Sequence, residues 1–371
     1  MRPVSAAARE REAQGHVIRA LVVVARVGLG CGRGSPPAAA PRATTVAADP
    51  DLHLAELGRC ALESGRSIEG CRLGYRTFGT LNAARDNAVL VPTWFTGTSK
   101  DLAALIPGRF VDLRRFFLIL VDAFGNGVSS SPSNSAVQPR LQFPQFTIRD
   151  LVEAQLRMLE STLGIHHLHA VVGISMGGMQ ALQWSVSHPT FMDRVVAMAA
   201  SPRSTSQDLL LWTTELHAIV DDAAYRNGEY AGHPTLRTAT DVMELTLWTP
   251  GHRALRTKPA DLPRTLAKAE NDATLDWNDR RRQVEALLAH DVSAPYGGSL
   301  VAAAERMRAR TLIVVAERDL VVSPIPALQL AKTIDAETLV LESGCGHLAV
   351  QACETAAVAE RVSAFLGRSS P

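Results

Sequence analysis

Net charge is almost missing from this chain: 38 Lys and Arg stand against 37 Asp and Glu, a formal +1. With no basic stripe and no interleaved aromatic set, it has no electrostatic footing for nucleic acid or an anionic membrane surface. Arg280 and Arg281 read as a solvated helix face. Internal repeats and low-complexity blocks are also lacking, which removes solenoid and array architectures. No cysteine has zinc-site spacing, and His166, His167 and His169 cluster without a helical i, i+4 face or a nearby carboxylate, so no metal site is expected. The turn-rich loop from Asp122 to Gly127, continuing to Pro132, has no phosphate-loop lysine and calls for no cofactor, although it is placed to line a pocket. The apolar run Ala20–Ala25 is short and broken by Arg26, so no integral membrane span is expected. Apolar residues, by contrast, are plentiful: 46% of 371 residues, enough for one large core and an inserted lid.

Within that apolar background one stretch carries chemistry. Gly173-Ile174-Ser175-Met176-Gly177-Gly178 stands behind the apolar run Leu168–Val172 and ahead of Met179–Trp184. This spells strand, sharp turn, helix: a GxSxG elbow in which small residues let strand and helix close on a strained serine. Met176 then opens the helix, and its backbone N–H points at the charge an acyl transfer develops. A serine nucleophile needs a base and an acid downstream, in that fold context at strand ends. The strand-like run Thr311–Ala316 ends in Glu317-Arg318-Asp319, and Thr338–Leu341 leads into the Gly-rich loop Glu342–His347. Asp319 is the candidate acid, with Glu317 and Asp335 as competitors, and His347 is the candidate base. A second oxyanion donor is expected from the loop after Ala88–Val91, with the Phe95 N–H ahead of that of Trp94.

The chain divides into four parts. Residues 1–51, rich in Ala, Arg, Pro and Gly, read as a signal-like or disordered segment, with Gly28–Cys31 faintly resembling a lipoprotein cleavage site and a start codon placed too early as the alternative. Core is expected over 52–203 and again over 301–371. Between them, 204–300 carries amphipathic segments such as Asp208–Asp221 and Asp241–Trp248, punctuated by Pro234, Pro250, Pro259 and Pro263, and reads as a helical lid. Cys60 and Cys71 flank an expected hairpin and are placed to bridge, which leans towards an oxidising, periplasmic or secreted location. Cys345 and Cys353 are either bridged or two free thiols.

Tyr75–Asn82, Arg85–Leu90, Phe95-Thr96-Gly97 and above all Ser175–Leu182 resemble the homoserine O-acetyltransferase-like branch of the α/β-hydrolases, with Asp276–Asp279 and His290–Ser293 fitting too. The resemblance runs from about Leu54 to Leu366. It implies an α/β fold with a mostly parallel central sheet flanked by helices, an inserted helical lid, a homodimer, and a serine that is transiently acylated. Two departures bear on the substrate. Where homoserine enzymes carry a lid arginine for the amino-acid carboxylate, this chain has Leu216, and where they follow the histidine with an aspartate for the amine, it has Leu348. With Trp94 these are expected to wall an apolar pocket in which a zwitterion would be unpaired. The readings are therefore hydrolysis of a small neutral or apolar ester, transfer of acetyl from acetyl-CoA to an alcohol other than homoserine, or a non-catalytic binding role for the same fold. The partner in each case is a small molecule.

Overall fold

The computed structural model describes residues 49, 51–271 and 276–368. The signal-like segment, with Ala20–Ala25 and Gly28–Cys31, lies outside them. The chain opens with β1 (His53–Ala61) and β2 (Ser67–Phe78), an antiparallel hairpin. There follow β3 (Ala88–Pro92), α1 (Ser99–Leu105), β4 (Phe117–Val121), α2 (Ile148–Ser161), β5 (Leu168–Ile174), α3 (Met176–Ser187) and β6 (Met192–Met198). An insert then carries α4 (Ser206–Val220), α5 (Arg237–Leu247), α6 (Pro250–Arg256), α7 (Leu262–Glu270) and α8 (Trp277–Leu288). The chain returns through α9 (Leu300–Ala304), β7 (Arg310–Ala316), α10 (Ile325–Thr333), β8 (Glu337–Leu341) and α11 (Thr355–Gly367).

All eight strands form one sheet in the order β1-β2-β4-β3-β5-β6-β7-β8. The first two pairings in that order, β1 with β2 and β2 with β4, are antiparallel and the rest parallel. Parallel strands covered on both faces must be apolar along their whole length, and β5, β6 and β7 are buried at every position after the first two. One apolar layer joins α2, α3 and the insert to one face of the sheet, and a second joins α1 and α11 to the other. Helix α3 is buried at eleven of its twelve positions, and its buried polar side chains Gln180, Gln183 and Ser185 are each hydrogen-bonded. Among the described residues no helix is long and apolar enough to cross a membrane.

Local chemistry sets the ends of the insert's helices. Thr205 and Asp208 form a capping box that starts α4 two residues before Asp208, where the amphipathic period alone puts it. Pro250 and Pro263 stand in the first turns of α6 and α7, where a missing N–H is harmless, so these prolines open helices as well as ending them. Ile219, Tyr225, Tyr230, Leu236, Ala239 and Trp277 pack into a small core of the insert's own.

Both cysteine pairs are bridged. Cys60–Cys71 ties β1 to β2, where an irregular register around Gly58 brings Cys71 opposite Gly58 and lets it reach Cys60. Cys345–Cys353 spans the loop after β8.

Candidate active site

β5, a central strand of the sheet, ends at Ile174, and α3 starts at Met176, leaving Ser175 alone in the bend with φ 55° and ψ −124°. A left-handed φ is unfavourable for a residue with a Cβ, so the surroundings must hold it. They do so by close approach. A Cβ on Gly173 would strike the Gly177 carbonyl, one on Gly177 the Pro92 carbonyl, and one on Gly178 would come 2.6 Å from Cβ of Ala200. The elbow is thus clamped between β3, β5 and the end of β6.

His347 Nε2 lies 2.9 Å from Ser175 Oγ, and its Nδ1 lies 2.8 Å from Asp319 Oδ2. All three side chains are buried. Asp319 follows β7, and its other oxygen accepts the Val321 and Val322 amides at 2.8 and 3.0 Å, so the carboxylate cannot swing away from the imidazole. The competing acids are elsewhere: Glu317 is exposed beside Arg318, and Asp335 follows α10. His347 sits in a 3-10 turn, Gly346–Ala349, after β8. Gly346 has φ 65° and passes within 3.2 Å of the Thr249 amide, measured from where a Cβ would stand. Thr249 also donates its hydroxyl to the Gly344 carbonyl. The histidine loop is therefore held by the insert as well as by the Cys345–Cys353 bridge.

The N–H groups of Phe95 and Met176 find no acceptor among the described residues. Both flank Ser175 in the chain's layout, Met176 as the first residue of α3 and Phe95 in the loop after β3, which also lines the cavity above the serine. Trp94 N–H is likewise without an acceptor among the described residues. The conformation of this loop is fixed by its neighbour: Thr96 has φ 63°, and its N–H donates at 2.8 Å to Gln283 Oε1 on α8, while Gln283 Nε2 donates at 3.1 Å to the Phe124 carbonyl. Gln283 is fully buried. Replacing it with leucine keeps the volume but leaves an amide and a carbonyl buried without partners. Gln283→Leu should therefore lower kcat by roughly 10- to 100-fold with KM little changed, less than losing an oxyanion donor outright. Steady-state kinetics on a short-chain ester checks it, and an unaltered kcat would show the loop to be held by other contacts.

The cavity over Ser175 and His347 has a volume of about 280 Å³. Trp94 and Leu348 line it, as do Trp212 of α4 and Met243 and Leu247 of α5. Leu216 does not. It is half-buried and packs against the main core, one turn further along the same face of α4 from Trp212, which does line the cavity. A charge does reach the cavity, though from another helix. Arg280 of α8 lines it, and Arg280 is bound to the buried Glu215. The solvated face expected for Arg280 and Arg281 is thus corrected: Arg281 and Arg282 both bind Glu285, and Arg282 is almost fully buried with further bonds to the carbonyls of Leu141 and Phe143. Burial pushes the Glu215 carboxyl up by more than the neighbouring Arg280 lowers it.

The loop after β4 turns inward. Asp122 accepts from the Ser99 amide and from Asn126, and burial pushes its pKa up to about 6. Its residues are not among those lining the cavity. The His166–His169 cluster does have a carboxylate at hand, Asp193 at 3.0 Å from His167, while His169 bonds to the Leu366 carbonyl. Among the described residues one group has metal-ligand spacing, His252 with Cys345 and Cys353, but the two sulfurs there are bonded to each other.

Residues 89–350 match the family model described as the alpha/beta hydrolase fold. An ethyl acetate hydrolase of Pseudomonas veronii is 32% identical over 313 residues, covering 80% of this chain and 89% of its own. A homoserine O-acetyltransferase of Leifsonia xyli subsp. xyli is 31% identical over 350 residues, covering 79% and 84%. Among solved structures, an acetylester hydrolase from Corynebacterium glutamicum superposes with a TM-score of 0.80 at 28% identity, covering 85% of this chain and 96% of that one. The mostly parallel eight-stranded sheet and these relatives agree: the chain is an acyl-transferring enzyme of the α/β-hydrolase fold family, in the branch that holds homoserine O-acetyltransferases together with esterases.

Proposed function

We propose that this enzyme hydrolyses small neutral esters through an acyl-enzyme on Ser175. The observation that carries the reading is the continuous hydrogen-bonded line from Asp319 through His347 to Ser175 Oγ at the floor of a cavity with Leu348 and Leu247 on its wall. A serine hydroxyl is a weak nucleophile, so His347 Nε2 takes its proton as Oγ attacks the ester carbonyl. Asp319 holds the imidazole with Nδ1–H directed at itself and stabilises the imidazolium. The negative charge on the former carbonyl oxygen is received by the N–H groups of Met176 and Phe95. His347 then returns the proton to the departing alcohol. Water enters, gives its proton to His347 and attacks the acyl carbon; the acyl–Oγ bond then breaks, His347 returns that proton to Ser175 Oγ, and the acid leaves.

A cavity of about 280 Å³ is at the small end of ligand sites, which suits a short acyl chain. Leu348 offers no counter-charge to an ammonium group, which argues against homoserine as acceptor. Relatives named for ethyl acetate and acetyl ester hydrolysis point the same way. Acetyl transfer to an alcohol is the second reading, favoured by the homoserine O-acetyltransferase relative. The two separate in one experiment with the full chain and a short-chain aryl acetate: acetate release is followed with and without added alcohols, and with acetyl-CoA as rival donor. Hydrolysis predicts stoichiometric acetate whatever alcohol is present. Diversion of most of the acetyl group to an alcohol, or acetylation from acetyl-CoA, would replace the esterase reading with the transferase one.

A further inference from the structure

The cavity wall carries a charged pair that the acyl-transfer steps do not use. Arg280 of α8 faces the cavity, with its guanidinium 5.5 Å from the centre of the Phe95 ring and 5.2 Å from that of Trp277. Its Nε and Nη2 both reach a single oxygen of Glu215 on α4, at 2.6 and 2.5 Å. Glu215 is wholly buried, whereas the Arg280 side chain keeps 16% of its surface. The carboxylate therefore stands behind the guanidinium, on the side away from the cavity. The pairing is one-sided: Glu215 Oε2 has no partner, and Arg280 Nη1 has no acceptor among the described residues. A guanidinium does not give up its proton, and its charge in direct contact favours the ionised form of Glu215 against the burial that pushes the carboxyl up. The acid that does line the cavity, Glu244, is likewise paired, with Arg253 at 3.0 Å.

An unpaired guanidinium in a partly enclosed cavity would draw in anions, since charges act strongly where water is scarce. A carboxylate in direct contact cancels most of that attraction while leaving outward N–H groups. We infer that Glu215 sets the charge preference of the site: by neutralising Arg280 it makes the cavity select uncharged esters, with the remaining Arg280 donors open to a neutral oxygen remote from the scissile carbonyl, and reject esters that carry a carboxylate. This rests on the ester-hydrolase reading above and names the substrate class within it.

The test compares diethyl succinate with monoethyl succinate, which differ by one carboxylate at the far end of the same chain. Wild type should prefer the diester by at least about 100-fold in kcat/KM. Glu215→Gln keeps the shape and an acceptor for Arg280 but removes the charge, and should shift that preference towards the monoester by at least about 10-fold, a gain that shrinks as salt screens it. Equal use of the two esters by wild type overturns the inference, and so does a folded Glu215→Gln enzyme with the wild-type preference at low salt. The wild-type comparison decides the matter by itself if the variant does not fold. Turnover of neither ester, nor of any short-chain acetate, would instead bring down the ester-hydrolase reading on which the inference rests.

Discussion

Ser175→Ala should lower kcat for ester turnover by about 10⁴- to 10⁶-fold while the protein keeps its fold and melts as wild type does. The reason lies in the way the three groups are joined. His347 has one ring nitrogen on Ser175 and the other on Asp319, so each group is placed to serve the same proton transfer. Groups that act as a unit are not additive, and once the nucleophile is gone the base has nothing to activate. His347→Ala alone should therefore cost about as much as Ser175→Ala, and the double variant should be no worse than either, within about a factor of ten. Whatever catalysis survives would come from the N–H groups of Met176 and Phe95 acting on a water-attacked ester. Rates measured on all three variants against active-site-titrated wild type would decide it. Losses that multiply in the double variant, or a Ser175→Ala enzyme within tenfold of wild type, would mean that the acyl group is carried elsewhere.

Gly173→Ala should have the largest effect on folding, destabilising the chain by at least about 3 kcal/mol. The new methyl would fall on the backbone of Gly177 and Gly178, where no flexible side chain can give way. Relief would require α3 to lift from β5, and α3 is buried on nearly every side against β5, β6 and α2. Gly251→Ala is the matched control: a Cβ there meets nothing within 4 Å, and the position lies in the first turn of α6. It should leave stability unchanged or raise it by up to about 1 kcal/mol, the usual advantage of alanine over glycine in a helix. Denaturant midpoints of the two variants would separate close packing from mere loss of glycine. If Gly173→Ala unfolds at the wild-type midpoint, the strained serine is held by something other than this contact.

The hydrogen-bonded line of Ser175, His347 and Asp319 was legible because each of its parts is local. The elbow announces itself by a strand period, three glycines and a helix, and Asp319 and His347 each follow a recognisable apolar run. The cavity wall was not legible, because its contacts join distant parts of the chain. Thr96 and Gln283 are 187 residues apart, and Glu215 and Arg280 are 65 apart. Nothing in a run of three arginines at the start of a helix shows that two acids, one from a different helix, will bury them. Leu216 misses the cavity by a single helical turn: it shares a face of α4 with Trp212, and which turn of that face stands over the serine depends on how the insert packs and not on α4 itself. Trp212, a large aromatic four residues before Leu216, was the available signal.

One helix of the insert grips the loop that carries Phe95, and the stretch from Leu247 to Thr249 grips the loop that carries His347. Anyone who trades this insert for another to widen the substrate range would therefore be trading bearings as well as a cover. A chimera that keeps the sheet, Ser175, Asp319 and His347 but takes a foreign insert inherits the parts of an active site without the pieces that align them, unless equivalents of Gln283 and Thr249 travel with the graft.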